Sequence, residues 1–192
     1  MILGKILYVL TMVITTVIRS PYEKRNKENK IASDHKDQQE QILLMLVLLG
    51  MMLIPLIFIF TPLLSFADYA LPVWALIVGV LVMATGLWLF WRSHADLGQN
   101  WSVSLEIRDE HTLVTNGVYQ RVRHPMYSAI WLLALGQPLL LHNWIAGFGS
   151  IFAFGIMYLL RVPIEERMML EQFGEQYQQY MAKTGRILPK FN

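Results

Sequence analysis

Apolar residues fall into five blocks along this chain: Ile2–Ile18, Ile42–Leu64, Val73–Trp91, Met126–Leu141 and Trp144–Leu160. A helix needs about 20 apolar residues to cross the hydrocarbon of a bilayer, and the second and third blocks meet that length. The first block is interrupted by Lys5, which can snorkel from near a helix end. Thr15, Thr16, Val17 and Ile18 run into Arg19 with no small-residue cleavage site, so the block reads as an uncleaved anchor rather than a signal peptide. The last two blocks are short and are joined by His142 and Asn143 alone. They read as a helical hairpin, thin-spanning or re-entrant, and either form leaves Arg123 and Arg161 on one side. The pattern predicts an all-α, polytopic integral membrane protein with about five transmembrane helices. Three spans fall within residues 1–91, and a helical hairpin and a C-terminal helix within 92–192.

Composition supports the membrane reading, with 55% hydrophobic and 16% charged residues. The absence of cysteine excludes disulfides, thiolate metal sites and a cysteine nucleophile. A formal net charge of +2, with no extended basic tract, gives no footprint for nucleic acid. The polar segments are more informative. Lysine and arginine concentrate after the first block, between Arg92 and His124, and after Leu160, whereas Thr61–Pro72 and the His142–Asn143 turn have none. The positive-inside rule then places the N-terminus outside and the polar segments in the cytoplasm. In Arg19–Gln41 five acidic residues nearly cancel six basic ones, so this stretch reads as a solvated connector.

The residues with chemical potential lie in two clusters. In Gly117–Tyr127 (Gly-Val-Tyr-Gln-Arg-Val-Arg-His-Pro-Met-Tyr) proline follows histidine at a predicted helix start. That first position needs no intrahelical N–H donor, and the helix start offers N–H groups and a positive dipole end to a carboxylate or phosphate. Arg121 and Arg123 add charge there, and Tyr119 and Tyr127 are placed to sandwich a flat group such as adenine. His111-Thr112-Leu113-Val114 followed by Asn116-Gly117 reads as a short extended piece and a tight turn. The second cluster is Arg161-Val162-Pro163-Ile164-Glu165-Glu166. Arg161 and Glu165 are four residues apart and can pair on one helix face, while Pro163 predicts a kink or a fresh helix start with both glutamates in a first turn. Phe173, Tyr177 and Tyr180 form one helical stripe, an interfacial or packing face. His35, His94 and His142 read as surface or interface residues, and no His/Asp/Glu group has metal-ligand spacing.

The half of the chain from about Arg92 to Phe191 resembles the isoprenylcysteine carboxyl methyltransferase family of integral membrane enzymes. The matching elements are His111-Thr112-Leu113-Val114, Gly117-Val118-Tyr119 and Arg123-His124-Pro125-x-Tyr127. They continue with Arg161-x-x-x-Glu165-Glu166, Phe173-Gly174-x-x-Tyr177-x-x-Tyr180 and Arg186-Ile187-Leu188-Pro189. Arg-His-Pro-x-Tyr alone is not specific, since phospholipid N-methyltransferases and membrane sterol reductases are similar there; the ordered combination is. The prokaryotic five-helix members are nearest in size.

The resemblance implies that 92–192 is the methyltransferase catalytic region, with a cytosol-facing pocket for S-adenosyl-L-methionine and S-adenosyl-L-homocysteine as product. Ser104, His111, Thr112, Leu113, Val114, Tyr119, His124, Pro125, Met126 and Tyr127 would hold the cofactor. Arg161 and Glu165 would act on the substrate, and no metal is implied. The acceptor would be the C-terminal carboxylate of a prenylated cysteine or a similar lipophilic acid, entering from the membrane lipids. The alternatives are a phospholipid or lipid-amine N-methyltransferase and a non-enzymatic membrane scaffold.

Overall fold

The computed structural model describes residues 2–26, 31–34, 38–98, 106–108 and 112–190. Among these residues the architecture is helical: α1 (Ile2–Asn26), α2 (Gln38–Phe60), α3 (Val73–Leu97), α4 (Pro125–Leu141), α5 (Trp144–Phe173) and α6 (Glu175–Lys183). One small addition is an antiparallel pair of strands, β1 (Ile31–Asp34) and β2 (Glu106–Arg108), which ties the α1–α2 connector to the segment after α3. Helices α1, α2, α3 and α5 are long and apolar enough to cross a membrane. At 17 residues, α4 lies at the short end of the spanning range. The chain is an integral membrane protein.

The hairpin of α4 and α5 runs the full depth of the bundle. At one end, Asn143 is fully buried and its Nδ2 donates to Leu64 O (2.7 Å) and Asp68 Oδ1 (2.8 Å), in the loop joining α2 to α3. Its Oδ1 accepts from Ile145 N and Ala146 N, so it also caps α5. At the other end, the start of α4 lies against the end of α3, where Tyr119 Oη donates to Ser93 O (3.3 Å). The short hairpin thus shares both its ends with α2 and α3.

Two polar side chains inside the bundle, Tyr8 and Gln137, find partners at a local departure from α geometry. Residues Leu49–Leu53 of α2 form a π-turn, which loosens the i→i−4 ladder and leaves carbonyls for side chains. The fully buried Gln137 of α4 donates through Nε2 to Gly50 O (3.0 Å) and Ala146 O (2.6 Å), and Tyr8 of α1 donates to Met51 O. Four helices are thereby stitched together where hydrocarbon offers no hydrogen bonds. Gly50 is needed for this approach, because a Cβ there would lie 2.7 Å from Gly149 O. Gly147 and Gly155, small residues suited to close helix contacts, face α4 within the chain, against Pro138 and Trp131.

Several sequence expectations are corrected. Pro163 starts no new helix, because α5 is continuous from Trp144 to Phe173 and Glu165 and Glu166 lie deep within it. His94 is fully buried rather than at a surface, with Nδ1 2.8 Å from Phe90 O. The aromatic stripe is divided by Gly174, whose φ of +51° ends α5 and turns the chain into α6. Glu40, placed by its sequence context in a solvated connector, is only 3% exposed. His35 lies outside the described residues.

Candidate functional site

The site forms where the start of α4, the middle of α5, the start of α2 and the C-terminal segment meet. The C-terminal segment pairs with the run that leads into α4: Gly185 N donates to Arg121 O (3.1 Å), Arg123 N to Gly185 O (2.8 Å) and His124 N to Arg186 O (2.9 Å). Ser128 Oγ then bonds Ile187 O (2.6 Å). The start of α4 is therefore held by main-chain bonds on its flank. Pro125 occupies the first helical position, and Ser128 N to His124 O (3.1 Å) is the first intrahelical bond.

Adjacent glutamates take different partners. Successive residues on a helix are about 100° apart, so one turn of α5 can serve two clusters. Glu165 Oε1 accepts from Arg161 Nε (2.8 Å) and from Tyr127 Oη (2.6 Å). The i, i+4 pair predicted across Pro163 therefore forms, and it reaches the Arg-His-Pro-x-Tyr segment through the tyrosine. Arg161 is 5% exposed, and its Nη1 also lies 3.4 Å from Glu40 Oε1. Glu166 instead accepts from Arg123 Nε (3.1 Å) and from Arg186 Nε and Nη2 (3.0 and 2.5 Å). Arg123 Nη1 in turn donates to Met181 O (3.3 Å) and to Thr184 O.

Between the two glutamates sits the buried His124 ring, with Nδ1 3.6 Å from Glu165 Oε2 and Nε2 3.4 Å from Glu166 Oε1. Nε2 is buried, and Glu166 is the carboxylate it faces. Its ring stands edge-on to Tyr127, 5.6 Å between centroids. Below Tyr127 lies an apolar cluster that includes Leu43, Phe154, Met157 and Val162. Charge thus meets grease directly under Arg161.

On the other flank, Gly117 turns the chain with φ +58° and Val118 N donates to Asp96 Oδ2 (2.9 Å). Arg92 holds Asp96 at 2.7 Å. The turn that follows buries Tyr119, whose carbonyl accepts from Tyr180 Oη (2.6 Å). Burial, with Tyr180 and Asp96 nearby, raises the Tyr119 phenol above its ordinary range, and burial pushes Tyr180 up to about 12. Both therefore remain hydrogen-bond donors at neutral pH.

Of the candidate site residues, Arg161, Glu165, His124, Pro125 and Tyr127 come together. Met126 is half-buried beside them, Tyr119 packs on the α3 side, and Thr112, Leu113 and Val114 go from exposed to half-buried on the way into the turn. Ser104 and His111 lie outside the described residues. Tyr119 and Tyr127 go to different partners, Ser93 and Tyr180 for one and Glu165, Phe154 and Tyr158 for the other. Sequence reasoning missed Glu40, Asp96 and Thr184. Glu40 had one usable signal, an acidic residue just ahead of an apolar run.

The fold and this cluster define a polytopic membrane protein with a charged site at one end of its bundle. The sequence profile of the phospholipid methyltransferase family matches residues 74–176, more than half of the chain. Similar proteins include the protein-S-isoprenylcysteine O-methyltransferases of Schizosaccharomyces pombe (30% identity; 56% of this chain, 46% of that one) and Homo sapiens (31%; 60% and 42%). A probable protein-S-isoprenylcysteine O-methyltransferase of Oryza sativa subsp. indica is 31% identical, covering 45% of this chain and 46% of the relative. A solved structure of the eukaryotic intramembrane Ras methyltransferase ICMT, isoprenylcysteine carboxyl methyltransferase, superposes with a TM-score of 0.56 at 27% identity, over 82% of this chain and 54% of that one. The chain belongs to the phospholipid methyltransferase family. It spans about half the length of the curated relatives it matches.

Proposed function

We propose that this chain transfers a methyl group from S-adenosyl-L-methionine to the C-terminal carboxylate of a prenylated cysteine or a similar lipophilic acid. The observation that carries this reading is the Tyr127–Glu165–Arg161 relay. It joins the segment expected to hold the cofactor to the residue expected to hold the acceptor, above an apolar cluster. Residues 92–192 would supply the catalytic region and residues 1–91 three of the spans.

The described residues suit the methyl donor in kind. The start of α4 offers a positive dipole end for a carboxylate, and Leu113 and Val114 offer half-buried apolar surface. When bound, the donor supplies an electrophilic methyl on a sulfonium. Ser104 and His111 belong to the same proposed set, with Thr112, Tyr119, Pro125, Met126 and Tyr127.

A carboxylate acceptor is ionised at neutral pH and needs no general base. The protein's task is then alignment and removal of water. Arg161 orients the acceptor through its guanidinium, and Glu165, itself fixed by Tyr127, sets the plane of that guanidinium. The apolar part of the acceptor lies among α2, α4 and α5 and enters from the bilayer. By the distribution of lysine and arginine, this end of the bundle faces the cytoplasm and the N-terminus lies outside.

The test is a radiolabelled methyl-transfer assay that compares a farnesylated cysteine analogue with phosphatidylethanolamine. The analogue should be labelled and the phospholipid not; the reverse would establish a lipid-amine N-methyltransferase. Arg161→Ala should lower transfer about 100-fold, the scale of an ångström-sized misplacement. Unchanged transfer and acceptor affinity in that variant would refute the assignment.

A further inference from the structure

We infer that Glu40, at the start of α2 and outside the part of the chain that matches the family profile, is a positioning residue for Arg161. This rests on the function proposed above and extends it to the N-terminal half. An acid in the first turn of a helix is ordinarily a solvated partner of the helix dipole. Glu40 is not solvated: it is 3% exposed, while its neighbours Gln38 and Gln39 are exposed. Its Oε1 lies 3.4 Å from Arg161 Nη1, while Glu165 takes Arg161 Nε at 2.8 Å. Two carboxylates from different helices thus engage two different nitrogens of one guanidinium. One contact would leave the planar group free to swing about that hydrogen bond; two fix both its position and its plane.

Burying a second carboxylate is costly, and a single glutamate already balances the charge of Arg161. The extra carboxylate is accounted for by orientation. The same helix supplies Leu43 to the apolar cluster beneath Arg161, so α2 sets both the guanidinium and the floor below it. The β1–β2 pairing also ties the connector just before α2 to the segment after α3. The N-terminal half is therefore a part of the site as well as an anchor.

The experiment is steady-state methyl transfer to the farnesylated cysteine analogue by the full chain in lipid, with donor affinity read by calorimetry. Glu40→Gln keeps the shape and removes the charge. It should lower kcat at least about tenfold, consistent with lost alignment, while donor affinity stays within about twofold. Glu40→Asp, which keeps the charge one methylene back, should fall between wild type and Glu40→Gln, and Gln39→Ala should match wild type. In an Arg161→Lys background, Glu40→Gln should have little further effect, because the fork it positions is gone. Wild-type kcat and KM in Glu40→Gln, a full effect in the Arg161→Lys background, or activity lost only in proportion to unfolded protein would each overturn the inference. An inactive wild type would overturn the functional reading and this inference together, whereas an active wild type with an unaffected Glu40→Gln would overturn this inference alone.

Discussion

Replacing Glu166 by glutamine should be among the most destabilising near-isosteric changes in the C-terminal half. The side chain keeps its volume but loses the charge that serves two arginines. Arg123 and Glu166 are both nearly inaccessible, with side-chain exposures of 10% and 6%. Removing one member of a buried pair costs about 3–5 kcal/mol, because the other charge is stranded. Arg123 keeps its bonds to Met181 O and Thr184 O, which places the loss at the lower end, about 3 kcal/mol. Arg186 is different: its side chain is 47% exposed, and a screened pair of that kind contributes about 0.2–1 kcal/mol. Arg186→Gln should therefore cost less than about 1 kcal/mol and become milder still in high salt, whereas the Glu166→Gln loss should be nearly independent of salt. Reversible unfolding in mixed micelles, followed by the fluorescence of the six tryptophans, can read both variants. The reasoning is refuted if the two variants lose equal stability, or if Glu166→Gln loses less than Arg186→Gln.

Gly117→Ala should disturb the turn in front of the α4 start, since a Cβ there would lie 2.1 Å from Asp96 Oδ2 at a φ of +58°. Weaker donor binding in calorimetry, with the helical circular dichroism of the bundle unchanged, is the expected result. The rate of methyl transfer should be flat above about pH 6, because an α-carboxyl acceptor ionises near pH 3.3–3.7. A rise with each pH unit through neutrality would instead point to an amine acceptor that must lose a proton.

The helices and the hairpin were legible because a bilayer imposes long apolar runs, and the charge-poor turn marks the far end. The pairing of Arg161 with Glu165 was legible too, since i, i+4 neighbours on a helix meet wherever the helix goes. Of the two outcomes predicted at Pro163, the fresh helix start does not occur: the proline removes one backbone donor, but the helix continues through it. His94 read as a surface or interface residue because it is isolated in the sequence, while the packing of Tyr22 and Phe90 around it has no local signature.

Local sequence determined what each segment is: which runs are apolar enough to span, where a helix must start after His124, and which charges lie four residues apart. Tertiary structure decided which segments share the site. Glu165 and Glu166 are chemically identical neighbours, and only the 100° step between them sends one to Arg161 and Tyr127 and the other to Arg123 and Arg186. Glu40 is separated from Arg161 by most of the chain, yet lies 3.4 Å away. No pattern of spacing along a chain encodes that distance, because it is set by how α2 packs on α5, through the close approach at Gly50 and the cluster around Leu43 and Phe154.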